Sequence, residues 1–341
     1  MALPEPLDLL ACADPVHGFR AAQAEGRLIA LRSSGTTDSP RVVVRTTASW
    51  ADSFDAVSEL CAMSADARTW IPGPVSASMN AFARVHADAV GAEVVDDPGV
   101  ATHAVLTPLL LARALDHGLL APGVSAVVAG DAMPAGLVRR ALEAGLDLHH
   151  YYGASELSFV AWASGDRPLR PFPGVECRVV DGVIWARSPY LSEGYGPLND
   201  ATGAPPGPYR RDEDGFGTVL DRGELVDGRL LVHGRGEAWV TTAGVTVDLA
   251  EVERVLRTDA NGAVVVVGIP DDRLGAIVVA VLDDSDDLPR ARAHASSVLQ
   301  PSHRPRRWYV LPDLPLTLAG KPDRQALAEQ VLAGGLAPVG R

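Results

Sequence analysis

Leu146-Asp147-Leu148-His149-His150-Tyr151-Tyr152-Gly153-Ala154-Ser155-Glu156 runs from an apolar-rich strand into a turn of small and polar residues that ends in a carboxylate. Residues 146–152 read as a strand that stops at Gly153. If that strand belongs to a parallel sheet, Glu156 stands at its C-terminal end, where open α/β sheets hold their ligands. A magnesium ion takes one or two carboxylates together with phosphate oxygens, so Glu156 suits it. The same letters also describe a Ser-Glu pair capping a helix.

Upstream of this stretch, short apolar runs alternate with helical patterns. Residues 27–31 and 42–44 read as strands. Thr47 or Ser49 can cap a helix with apolar positions at Trp50, Phe54, Val57, Leu60 and Cys61. Strands follow at 69–71, 92–95, 103–106 and 126–130, with helices at 79–90, 108–117 and 134–144 between them. This rhythm predicts an α/β fold with a mostly parallel sheet and helices on both faces. Arg84 and His86 fall on the 79–90 helix as surface or pocket-edge residues, and His149 and His150 as strand-end histidines.

Downstream the pattern changes near residue 170. Residues 175–180 and 183–187 flank Asp181-Gly182, a hairpin turn, and Asp227-Gly228 marks another. This part reads as antiparallel β, folded as a barrel-like subdomain. A boundary is expected at Gly234-Arg235-Gly236-Glu237, dividing the chain into 1–235 and 236–341. The second part alternates strand and helix as a compact α+β unit, with helices at 249–256, 288–299 and 323–333.

Composition narrows the function. The 341 residues carry 30 Lys and Arg against 43 Asp and Glu, a formal charge of −13. Duplex binding needs a basic face, and the densest basic stretch is His303-Arg304-Pro305-Arg306-Arg307, so no nucleic-acid partner is expected. No apolar run is long enough for a membrane span, and the first residues do not read as a secretory signal. Cys12, Cys61 and Cys177 are few and scattered, which fits a reducing cytoplasm better than a disulfide framework or zinc site.

Four further segments carry chemistry. Ser33-Ser34-Gly35-Thr36-Thr37-Asp38-Ser39-Pro40-Arg41 can wrap backbone N–H and hydroxyl groups around phosphate oxygens, with a cation at its end; an ordinary Ser/Thr turn looks the same. Asp221, after Gly215-Phe216-Gly217-Thr218-Val219-Leu220, can accept two hydrogen bonds from a ribose diol, although Asp is common in turns. Gly234-Arg235-Gly236-Glu237 sits at the expected boundary. Leu314-Pro315-Leu316-Thr317-Leu318-Ala319-Gly320-Lys321-Pro322-Asp323-Arg324 places a lysine in a loop before a helix, where, taken alone, a lysine is more often a solvated surface residue.

In order and spacing these segments resemble the adenylate-forming superfamily, which includes acyl-CoA synthetases, peptide-synthetase adenylation domains and luciferases. Gly194-Tyr195, Gly244 and Glu251-Val252-Glu253 extend the likeness, which covers nearly the whole chain from residue 28. The resemblance implies an adenylate-forming ligase fold with a truncated N-terminal region and a small mobile C-terminal lid. It implies that a carboxylic acid is joined to AMP from ATP, and then passed to coenzyme A or to a carrier protein's phosphopantetheine arm. By resemblance, Ser33, Ser34, Gly35, Thr36, Thr37 and Arg41 hold the phosphates. Ser155 sits by the α-phosphate, Glu156 binds Mg2+, and Tyr152 and Gly153 lie near adenine. Asp221 and Arg235 reach the ribose, Glu237 is the hinge, and Lys321 stabilises the charge that develops on adenylation. The acid pocket is expected along 72–80, 130–133 and 151–159. The family also allows a homodimer.

The layout most resembles the compact o-succinylbenzoate–CoA ligases of menaquinone synthesis, some of which start just ahead of the phosphate loop. It departs from the family at Arg41 in place of Lys, Asp38 in place of Gly, Val219-Leu220 in place of Thr-Gly, and Glu237 in place of the hinge Asp. Gly73-Pro74-Val75-Ser76 replaces an aromatic-His pair. These changes point to an altered acid pocket or a weakened first step, and a non-catalytic nucleotide- or acyl-binding homologue is the alternative of another class.

Overall fold

A computed structural model describes residues 5–33, 41–196, 207–235, 239–317 and 320–339. The strand expected at 146–152 is Asp147–Ala154, and it is the fifth strand of a seven-stranded sheet. Glu93–Val95, Arg68–Trp70, His103–Leu106, Ser125–Val128 and Asp147–Ala154 lie side by side in parallel. Ser158–Ser164 and Arg170–Pro171 then close the sheet antiparallel. Alternation along the strands sends side chains to two cores. Val105 and Val127 pack with Val57, Cys61 and Phe82 from the helices Phe54–Cys61 and Ser78–Val90. Ala104, Leu106, Ala126, Val128 and Leu148 pack with Leu111 and Leu137 from Pro108–Asp116 and Ala135–Glu143. The helices therefore cover both faces, as the βα rhythm requires.

Ser155 and Glu156 do not open a helix. They lie in the turn between Asp147–Ala154 and Ser158–Ser164, so a helix-capping reading of that pair does not hold. Gly153 permits this turn, because a Cβ there would stand 2.1 Å from the Ser158 carbonyl oxygen.

A second sheet joins Leu7–Asp8, Ile29–Ser33, Arg41–Arg45 and Gly194–Tyr195. Ile29–Ser33 and Arg41–Arg45 pair antiparallel with Ser33 opposite Arg41. Residues 34–40 of the Ser/Thr-rich segment, between these two strands, lie outside the described residues. Gly194–Tyr195 adds to the returning strand, with Tyr195 opposite Val43.

The middle of the chain is an antiparallel six-stranded sheet. Its turns Asp181-Gly182 and Asp227-Gly228 all take positive φ, at 52°, 75°, 50° and 70°, the geometry that tight hairpins need.

Residues 239–339 build a five-stranded sheet with the helices Leu249–Leu256, Leu288–Val298 and Arg324–Leu332. The run Val264-Val265-Val266-Val267 is apolar throughout because each face is covered. Val264 and Val266 enter one core, Val265 and Val267 the other. Asp248 and Asp323 cap two of the helices through Ala250 N and Ala326 N. Among the described residues, no helix is long and apolar enough to cross a membrane.

Candidate active site

Glu156 is 4% exposed, and its Oε1 accepts a 2.7 Å hydrogen bond from the Tyr195 hydroxyl. Sheet pairing makes this contact possible, because Tyr195 is carried on the strand beside Arg41–Arg45. Burial pushes the Tyr195 hydroxyl up, Glu156 adds to the rise, and Arg41 pulls against it. Tyr195 therefore remains a donor to Glu156 throughout the neutral range.

The turn holding Ser155 is clamped from beneath by Arg45, which is 1% exposed. Its Nη1 donates to the Ser155 carbonyl at 3.2 Å, its Nη2 to the Tyr190 carbonyl, and its Nε to Ser49 Oγ at 2.9 Å. Burial pushes the guanidinium down to about 9, and Glu156 works against that shift, so Arg45 stays charged at neutral pH. Ser155 Oγ shares a 2.9 Å hydrogen bond with Ser78 Oγ at the start of the Ser78–Val90 helix. Tyr152 and Asp221 also meet: the tyrosine hydroxyl donates to Asp221 Oδ2 at 2.8 Å.

Lys321 reaches this sheet from the C-terminal unit. Thr317 N donates to the Lys321 carbonyl at 2.8 Å, and Gly320 N to the Thr317 carbonyl at 2.9 Å. A Cβ added at Gly130 would stand 3.6 Å from Lys321 Cε and 3.6 Å from Thr107 Cγ2. Thr107 and Gly130 follow the strands His103–Leu106 and Ser125–Val128. The lysine loop therefore rests on the C-terminal ends of the parallel strands, the same edge that carries Ser155 and Glu156.

The structure brings together Tyr152, Gly153, Ser155, Glu156 and Asp221, with Lys321 above Gly130. Ser34, Gly35, Thr36, Thr37 and Glu237 lie outside the described residues. Ser33 and Arg41 stand opposite each other in the antiparallel strand pair, and the Arg235 backbone pairs with Asp221. Of the two readings given for His86, surface or pocket edge, the structure supports the second: it is 2% exposed, stands in the wall of the cavity lined by Tyr151 and Phe159, and has Nε2 2.8 Å from Ser58 Oγ. Of the residues expected in the acid pocket, Tyr151 and Phe159 line one cavity, whereas Asp131 and Ala132 line a cleft with Lys321 and Arg257 at the junction with the C-terminal unit. Within the basic stretch 303–307, Arg304 Nε and Nη2 donate to the carbonyls of Leu299 and Ser296, while Arg306 and Arg307 are exposed.

Sequence reasoning overlooked Arg45 and gave Tyr195 no role. Both act across long sequence separations. A buried-strand arginine beside a hydroxyl-rich turn was the one available signal for Arg45.

No family model matches the chain. It is 29% identical over 238 residues to the 2-succinylbenzoate–CoA ligase of Escherichia coli, covering 67% of this chain and 51% of that protein. It is 26% identical over 350 residues to an uncharacterized acyl–CoA ligase of Bacillus subtilis, covering 92% of this chain and 69% of the relative. A solved structure of an Escherichia coli MenE variant with bound OSB-AMS superposes with a TM-score of 0.75 at 26% identity, over 90% of this chain and 69% of that one. The chain thus spans about half the length of the first of these relatives. Its fold is that of the adenylate-forming ligases, and in sequence it is similar to acyl-CoA ligases.

Proposed function

We propose that this protein activates a carboxylic acid with ATP and then transfers the acyl group to coenzyme A. The observation that carries this reading is the seat of the Lys321 loop on Gly130, at the sheet edge that also carries Ser155 and Glu156. In the first step an acid oxygen attacks the α-phosphorus of ATP. One P–O bond forms, another breaks, and pyrophosphate leaves with the acyl-adenylate behind it. Lys321 supplies positive charge where negative charge accumulates. The Ser155 hydroxyl, held by Ser78, offers a donor at the same edge. In the second step a thiol sulfur attacks the acyl carbon, AMP leaves, and the thiol proton passes to solvent. No covalent enzyme intermediate is required.

The residues present fit a magnesium ion. Glu156 is a single buried carboxylate fixed by Tyr195, and the described residues contain no cluster of three or more metal donors. That pattern suits an ion whose remaining ligands are water and nucleotide phosphate. When bound, it would neutralise phosphate charge. Tyr152 and Asp221 form the hydrogen-bonded pair assigned to the nucleoside end. Motion of the C-terminal unit between the two steps, about a hinge at Glu237, completes the reading.

The acid named for several relatives, 2-succinylbenzoate, heads the panel to be tested. Pyrophosphate release and hydroxamate trapping over a set of acids, with Lys321→Ala as control, test the reading. Acid-dependent turnover lost in Lys321→Ala supports it. A broad panel that gives no turnover, together with no ATP binding, would overturn it.

A further inference from the structure

Near the Ser155 turn lies a partly open apolar cavity, between the parallel sheet and the Ser78–Val90 helix. Its wall includes Cys61, Met79, Phe82, His86, Tyr151 and Phe159. Among the described residues, no lysine or arginine lines it. Arg84, on the same helix, points instead to the Ile71 carbonyl, 3.4 Å from its Nη2. The potentially charged groups in the wall are held neutral at physiological pH. Burial pushes the His86 imidazole down to about 4 and the Cys61 thiol up to about 11, and burial likewise raises the Tyr151 hydroxyl.

The cavity adjoins the reacting groups. Met79 follows Ser78, which is bonded to Ser155, and Tyr151 precedes Tyr152. Its walls are aromatic: Phe82 meets Phe159 edge to face with centroids 5.0 Å apart, and Tyr151 lies 4.6 Å from Phe159. Such walls favour a planar ring. A carboxylate carried into them would be a buried charge with no partner.

We propose that this cavity receives the tail of the acid and selects an uncharged aryl tail, so that the substrate is an aryl-alkanoic monocarboxylic acid and not a dicarboxylic one. This rests on the ligase reading above, and it departs from the acid named for the 2-succinylbenzoate relatives. His86, in the wall, is hydrogen-bonded to Ser58 and, held neutral by burial, supplies no counter-charge.

The test compares 4-oxo-4-phenylbutanoate with 2-succinylbenzoate, which differ by a single ring carboxylate. The expected result is acid-dependent pyrophosphate release with kcat/KM at least about tenfold higher for the uncharged ring. Equal or better turnover of 2-succinylbenzoate overturns the inference and leaves the ligase reading intact. If neither acid turns over, the two acyl-sulfamoyl adenosines are compared by calorimetry. Tighter binding of the uncharged one supports the inference, whereas the reverse order, or no binding of either, overturns it. In folded His86→Lys the order should invert, and an unchanged order would remove the tail from this cavity.

Discussion

The Arg257 guanidinium lies against the Asp131 carboxylate with two parallel hydrogen bonds, Nη1 to Oδ1 at 3.0 Å and Nη2 to Oδ2 at 3.1 Å. Asp131 directly follows Gly130, and Arg257 directly follows the Leu249–Leu256 helix of the C-terminal unit. Burial opposes charge on Asp131, but Arg257, helped by Arg324, pulls its carboxyl down to about 2. The same guanidinium contacts Glu253, which also receives Arg324. This fork fixes the C-terminal unit one residue from the glycine on which Lys321 rests. Asp131→Asn should therefore lower acid-dependent pyrophosphate release about tenfold, or ~1.4 kcal/mol of barrier. Arg257→Lys should do the same, since an ammonium cannot form the fork. The charge-swapped pair Asp131→Arg with Arg257→Asp should recover part of the loss. Full activity in Asp131→Asn would show that the ion pair does not position the lysine.

In the proposed function, Tyr195 is a positioning residue for Glu156. Tyr195→Phe removes the 2.7 Å donor without emptying the ring's place in the packing. The carboxylate then gains rotational freedom, and activity should fall about tenfold while the magnesium concentration for half-maximal rate rises. Glu156→Gln should cost more than Tyr195→Phe. A Tyr195→Phe protein with unchanged magnesium dependence would leave the tyrosine a packing residue.

Arg45 is a structural charge. Arg45→Met would leave the carbonyls of Ser155 and Tyr190 and the Ser49 hydroxyl without their donor. Uncompensated loss of a buried charged donor costs about 3 kcal/mol. Urea unfolding at neutral pH checks this, and a change within the error of the wild-type midpoint would refute it.

Local chemistry made much of this architecture readable from sequence. Asp181-Gly182 and Asp227-Gly228 marked their turns because both positions need positive φ. The Leu249–Leu256 helix was readable from its apolar spacing, with Asp248 capping its start. The strand Ser158–Ser164 was missed, since its central residues are buried on both sides and show no polar alternation. The spacing of Arg84 and His86 on a helix left surface and pocket edge both open for His86; its place in the cavity wall, bonded to Ser58 28 residues away, follows from the fold. Arg45 and Ser155 are separated by 110 residues, and Arg257 and Asp131 by 126. Such pairings depend on the completed fold, and no local pattern encodes them.

Leu220 occupies a conformation that suits glycine. Its φ is 63°, and its side chain is 40% exposed. It stands directly before Asp221, where the sequence departs from the family's Thr-Gly. A left-handed backbone costs an L-residue about 1–2 kcal/mol, and the extra freedom of unfolded glycine offsets part of that. Leu220→Gly should therefore stabilise the protein by about 0.5 kcal/mol and leave the Tyr152–Asp221 hydrogen bond in place. A lower unfolding midpoint for Leu220→Gly would mean that the leucine side chain contributes more than its backbone strain costs.

Asp283 gives a stability profile with a defined sign. Burial, aided by Asp284 and Asp287, pushes its carboxyl up to about 6, although Ala263 N donates to Oδ1 at 2.6 Å. The ordinary unfolded value is about 3.9. The folded state therefore holds the proton more tightly, and stability falls as pH rises from about 4 through about 6, staying lower above that. Asp283→Asn keeps an oxygen to accept from Ala263 and carries no charge at any pH. It should raise stability by about 1 kcal/mol at about pH 7.5 and change little at about pH 4. Denaturant unfolding at both pH values reads the difference. An equal gain at both would assign the effect to packing, because only the ionised carboxylate carries the pH-dependent penalty.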